Sequence, residues 1–130
     1  LLSGPEPQRA ILESLICGIL AHMPEYRVLL IRGTRDTADS KLSANHIKTI
    51  NIATSDEIEQ SLNSTKLLIC RSGYTTLMDI LSLGLKAILI PTPGQTEQEY
   101  LATHHGKNVN FINLNQNELN KLQKTIKSLI

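Results

Sequence analysis

Three short stretches hold the residues whose types and spacing could do chemistry: Ser3-Gly4-Pro5-Glu6-Pro7-Gln8-Arg9, Cys70-Arg71-Ser72-Gly73-Tyr74-Thr75-Thr76, and Pro91-Thr92-Pro93-Gly94-Gln95-Thr96-Glu97-Gln98-Glu99. In the second, Ser72 and Gly73 stand where an apolar run gives way to a helical pattern. A glycine at such a turn lets a ligand approach the backbone, and the free N–H groups of the following helix suit a phosphate. Asp79 follows Thr76 by three residues and Thr75 by four, so all three share one helical face. A carboxylate there could accept hydrogen bonds from a vicinal diol such as ribose. The bland alternative makes Ser72 a helix cap and Asp79 a solvated surface position, and spacing alone does not choose between the two. In the third stretch Gln95, Gln98 and Glu99 carry amide and carboxylate groups suited to sugar hydroxyls, beside a Pro-Gly turn. Glu99 also fits a capping box with Thr96.

None of these stretches is a Walker loop or a GxGxxG fingerprint, so neither P-loop hydrolysis nor nicotinamide binding has motif support. The two cysteines, Cys17 and Cys70, each lie in an apolar run without a second cysteine or a histidine at metal-ligand spacing. His104 and His105 are adjacent and cannot face one metal from a helix. No metal and no cofactor is expected. Cys70, at the end of an apolar run, reads as packing and not as a nucleophile.

The elements that must position these loops follow from periodicity. Ile11, Leu12, Leu15, Ile16, Ile19 and Leu20 recur at spacings of three and four, which predicts a helix from Arg9 to His22 with one broad apolar face, stopped by Pro24. Val28–Ile31 reads as a buried strand closed by Gly33, Thr34 to Asn45 as a loop, and Ile47–Ile52 as the next strand. Thr54 and Glu57 form a capping box for a helix ending near Asn63. The pattern repeats with strand Leu67–Cys70, helix Tyr74–Leu83 closed by Gly84 and packed through Leu77, Ile80 and Leu81, and strand Ala87–Ile90. A helix from Thr96 to about His105, a strand Val109–Ile112, and a last helix capped by Asn115 and Glu118 complete the chain. Leu1-Leu2 reads as the stump of a first strand. Strands alternating with helices predict a doubly wound, Rossmann-like parallel α/β sheet, whose ligands bind beyond the carboxyl ends of the strands.

At 130 residues there is room for one domain. Hydrophobic residues at 41% and charged residues at 19% describe a folded chain, and a net charge of +1 gives no bulk attraction to nucleic acid or anionic membrane. Aromatics are 3%, too few for base-stacking platforms. Apolar runs such as Val28 to Ile31 are strand-sized, far short of a membrane span. The free cysteines point to a reducing, cytoplasmic setting. The absence of an initiator Met and of a signal-like segment leads to the expectation that Leu1 marks a cut within a longer protein.

The segment CRSGYTTLMDILSLGLKAILIPTPGQTEQEYLA, Cys70 to Ala102, resembles the signature of the GT-B glycosyltransferases, in particular the family 28 enzymes that add N-acetylglucosamine to the lipid-linked peptidoglycan precursor. The resemblance extends through the chain and is specific in this stretch. It implies that residues 1–130 are the C-terminal, nucleotide-sugar (donor) binding domain of a two-domain enzyme with its active site between the domains. By the same resemblance Ser72 and Gly73, with Tyr74 and Thr75 beside them, receive the donor diphosphate, and Asp79 takes the ribose-binding acidic position, where the family carries Glu. Gln98 matches the first of two consecutive glutamines near the sugar, and Glu99 replaces the second. Ser3 and Gly4 match a Gly-rich loop near the phosphates, made stiffer here by Pro5 and Pro7. Backbone groups at Ile52 or Ala53 fall where the family reads uracil.

The implied reaction is an inverting, metal-independent transfer of N-acetylglucosamine or a related hexose from UDP to an acceptor hydroxyl. The acceptor, lipid-linked in that enzyme, and the general base belong to an N-terminal domain, carried by the same protein or by a partner chain. No catalytic residue lies in these residues on this reading, so the isolated domain binds without turnover, and membrane contact at the cytoplasmic face would run through the other domain. Two further readings remain: an enzyme similar to UDP-N-acetylglucosamine 2-epimerase, which shares the architecture, and a non-catalytic donor module acting with a partner.

Overall fold

The computed structural model describes residues 1–36, 44–105 and 107–130. Much of the loop expected between Thr34 and Asn45 therefore lies outside the described residues. Helices and strands alternate: α1 Gln8–Leu20, β1 Val28–Ile31, β2 Ile47–Ile50, α2 Ser55–Asn63, β3 Leu67–Cys70, α3 Tyr74–Leu83, β4 Lys86–Leu89, α4 Thr96–His105 and β5 Phe111–Asn113. A 3-10 turn, Gln116–Lys121, then runs into α5, Leu122–Leu129.

The strand pairs β1 with β2, β3 with β4, and β4 with β5 are parallel, the doubly wound arrangement expected. They form two sheets, β1-β2 and β3-β4-β5, in place of one continuous sheet. Leu1-Leu2 sits in the seam between them: the Leu2 N–H donates to Ile31 O at 2.9 Å and the Leu1 nitrogen to Ile69 O at 2.9 Å. The stump thus does the work of a strand while too short to be one.

Because strand side chains alternate between faces, the two sides of the sheet acquire separate cores. Leu30, Ile88 and Ile90 point to the side covered by α1 and α5, where they meet Leu12, Ile16, Leu20, Leu122 and Ile126. Leu68, Cys70, Ala87 and Leu89 point to the other side, against Leu62, Leu77, Ile80, Leu101 and Ala102 from α2, α3 and α4. The result is a three-layer, Rossmann-like α/β domain.

Local signals explain the helix ends. Glu57 N–H donates to Thr54 Oγ1 at 3.2 Å and Thr54 N–H to Glu57 Oε2 at 2.8 Å, the reciprocal capping box that opens α2. Gly84 ends α3 in the left-handed region at φ +64°, where a side chain would be strained. Several expectations need correction. Strand β2 stops at Ile50, leaving Ile52 and Ala53 beyond the sheet edge. Strand β5 begins at Phe111, and Val109 is 93% exposed.

Thr96 is the first residue of α4 and not its cap; the Glu99 N–H bonds Gln95 O, and the Glu99 carboxylate accepts from Gly94 N–H at 3.3 Å. On α1, Ile11 and Leu15 are exposed while Arg9 and Glu13 are buried, because that flank faces Arg32. Leu81 is likewise surface-lying, so α3 packs through Leu77 and Ile80.

Candidate functional site

In a doubly wound sheet the ligand crevice opens where successive crossovers leave in opposite directions. Here the chain leaves the Leu1-Leu2 stump toward β1 on one side, and leaves β3 toward β4 on the other. The two turns at that divide are Ser3-Gly4 and Arg71-Ser72-Gly73, two of the stretches singled out by residue type. Gly4 takes φ +101°, open to glycine and strained for other residues, and a side chain built there would come to 4.0 Å from Thr92 Oγ1. The Pro91–Gln95 loop therefore closes the same crevice from the β4 side.

Helix α3 starts at this divide. Its N-cap is Gly73, with no side-chain hydrogen bond to the first turn, so the free N–H groups and the positive end of the helix dipole face outward unspent. Ser72 is not the cap: it is fully buried, and its hydroxyl donates to Gln98 O at 2.7 Å, fastening the β3 turn to α4. With the whole residue buried, Ser72 offers a ligand no exposed atom, and the accessible start of the helix falls to Gly73, Tyr74 and Thr75. Tyr74, Thr75 and Asp79 are exposed, and the Asp79 carboxylate has no partner among the described residues.

The third loop is internally tied. Gln98 Oε1 accepts from Thr92 N–H at 2.8 Å and its Nε2 donates to Gln95 Oε1 at 2.8 Å, so this amide holds the loop's shape while Gln95 keeps one acceptor lone pair to spare. Glu99 lines an open cleft of about 360 Å³ with Pro91, Pro93, Asn115, Gln116 and Asn117. On the far side of the crevice Ile52 and Ala53 follow β2, next to Asn51, whose Oδ1 accepts from Arg32 Nη1 at 3.1 Å. Ser3 and Gly4 are exposed at the mouth.

Two charged groups behind these loops differ in kind. Glu13 is a buried carboxylate shared by two buried guanidinium groups, Arg9 Nη1 and Arg32 Nε, each at 2.6 Å. Burial alone would push its acidity down, but the hydrogen bonds from Arg32 and Arg9 outweigh it and hold the Glu13 carboxyl below the usual carboxylate range. Arg9 also pairs with Glu6, whose other oxygen accepts from Ala10 N–H at 3.2 Å, so the acidic side chain caps α1 where Pro7 cannot. Arg71, 2% exposed, makes no ion pair among the described residues; burial pulls its guanidinium below its ordinary value. The sequence pointed to Arg71 and Thr92 only as loop members and did not single out Gln116, which follows the Asn115 cap. A basic residue that directly continues a buried strand was the available signal for Arg71.

The profile of the glycosyltransferase family 28 C-terminal domain matches residues 7–130. The chain belongs to this family. Family 28 membership agrees with the parallel Rossmann-like architecture and with the resemblance carried by Cys70 to Ala102. A curated relative is 38% identical over 71 residues: the UDP-N-acetylglucosamine--N-acetylmuramyl-(pentapeptide) pyrophosphoryl-undecaprenol N-acetylglucosamine transferase of Oenococcus oeni. The aligned part is 55% of this chain and 17% of that protein, so the chain spans well under two thirds of the relative's length. No solved structure matches.

Proposed function

We propose that this chain is the UDP-sugar donor domain of an inverting, metal-independent glycosyltransferase that moves N-acetylglucosamine or a related hexose to an acceptor hydroxyl. The observation that carries this reading is the joint placement, at the switch point of the sheet, of the Ser3-Gly4 turn, the uncapped start of α3 at Gly73, and an Asp79 carboxylate, unpartnered among the described residues, less than two helical turns further on. The diphosphate sits on the N–H groups at Gly73 to Thr75, with Ser72 holding the turn behind them, and the helix dipole stabilises the charge that develops on it as UDP leaves. Asp79 accepts both ribose hydroxyls. Backbone groups at Ile52 and Ala53 read the base, and Gln95, Gln98 and Glu99 border the sugar, with Gln98 acting mainly by shaping the loop.

The acceptor hydroxyl attacks the anomeric carbon from the face opposite UDP, which inverts the configuration. The acceptor, lipid-linked in the relative's name, and the general base are assigned to a second domain, in the same protein or in a partner chain. Among the described residues no helix is long and apolar enough to cross a membrane. In this reading, contact with the cytoplasmic face of a membrane is assigned to that second domain.

The test is a calorimetric titration of the chain with UDP, UDP-N-acetylglucosamine and ADP, beside Asp79→Ala. Uridine compounds are expected to bind over ADP, and the substitution to weaken them about tenfold or more, the worth of one or two hydrogen bonds to a charged acceptor. Equal binding of ADP, or an Asp79→Ala variant that binds UDP like the parent, contradicts the assignment.

A further inference from the structure

The buried guanidinium of Arg71 stands apart from the other interior charges. Arg9 and Arg32 share the Glu13 carboxylate, whereas every acceptor on Arg71 is neutral: Ile90 O at 3.3 Å, Pro91 O at 3.1 Å, Gln116 Oε1 at 2.9 Å and Gln8 O at 3.1 Å. Its Nε, also buried, has no partner among the described residues. A cation taken out of water without a counter-charge is costly, so the field at this position favours an anion nearby. Those bonds reach the start of α1, the loop after β4 and the turn after β5, while Arg71 itself leads directly into Ser72-Gly73. Nearby, the hydroxyl of Thr92 is buried with no partner among the described residues.

We propose that Arg71 is a positioning residue that fixes the loops around the switch point and holds an uncompensated positive charge behind the diphosphate end of the site. It acts without touching the ligand. The inference rests on the donor-domain reading and extends it: the electrostatic complement to a nucleoside diphosphate comes from this side chain together with the α3 N-terminus. Two consequences separate this role from a scaffold role. Supplying Arg71 with a protein carboxylate should stabilise the unliganded chain and weaken its hold on a diphosphate. The uncharged nucleoside should be indifferent to the change.

Gln116→Glu provides that carboxylate on the atom already 2.9 Å from Arg71 Nη1. Parent, Gln116→Glu and Arg71→Gln are titrated with UDP and with uridine at low salt, and their thermal unfolding is recorded. The expected result is a UDP affinity reduced about tenfold in Gln116→Glu with uridine unchanged within about twofold, and a raised melting temperature. Arg71→Gln should show the same selective loss of UDP. If Arg71→Gln does not fold, Gln116→Glu decides alone. An unchanged UDP affinity in Gln116→Glu, or an equal loss of UDP and uridine, overturns the proposal while leaving the donor-domain reading standing. A parent chain that binds neither ligand overturns both.

Discussion

Replacing Glu13 by Gln keeps the shape of the side chain and removes the one charge that neutralises two buried guanidinium groups. Its oxygens lie 2.6 Å from Arg9 Nη1 and 2.6 Å from Arg32 Nε, and all three residues are less than 8% exposed. Breaking a buried ion pair from one side costs about 3–5 kcal/mol, because the partner charges stay behind uncompensated. For a domain of this size, with a total stability of about 5–15 kcal/mol, that is a large part of the whole. At about 4 °C per kcal/mol the melting temperature should fall by roughly 12–20 °C. The loss should also depend on pH. Glu13 titrates lower in the folded than in the unfolded chain, so its contribution is complete above about pH 4.3, the unfolded value, and disappears as the pH falls through the lower folded value. Parent and variant should therefore differ fully at pH 7 and by less at pH 3, below the unfolded value. Urea unfolding at both pH values measures this. A difference below about 1 kcal/mol at pH 7, or one that does not shrink in acid, would show that solvent screens the network and refute the reasoning.

Two further substitutions and one labelling experiment test other parts of the structure. Gly33→Ala should cost more than about 2 kcal/mol in denaturant unfolding, since φ is +69° and the new Cβ would lie 2.4 Å from Leu2 O in the seam between the sheets. Gly18→Ala, inside α1 with nothing within 4 Å of the added carbon, should instead gain about 0.5–1 kcal/mol in the same assay. Burial pushes the Cys70 thiol up to about 11 and raises Cys17 as well, so neither should react with a thiol reagent at pH 8 until the chain unfolds. Rapid labelling of the native protein at Cys70 would contradict the position of β3 in the core.

Much of the architecture was legible because its signals are local. The Thr54/Glu57 box, the Gly84 terminator and the short apolar runs each act over a few residues, and α2, α3 and β3 took their expected bounds. Apolar periodicity also located the loops of the candidate site, since in an alternating chain they must follow the strands. Tertiary structure decided what local pattern leaves open. Ile11 and Leu15 fit the apolar stripe of α1 as well as Leu12 and Ile16 do, but only the position of Arg32 turns Arg9 and Glu13 inward. Ser72 has the residue type of a cap and spends its hydroxyl on Gln98 O, twenty-six positions away. Arg71 looks like any loop arginine until its partners, between 19 and 63 residues distant in sequence, enclose it without a carboxylate. Periodicity records which face of an element avoids water; which charges are neutralised inside depends on contacts made across the fold, and no spacing along the chain encodes those.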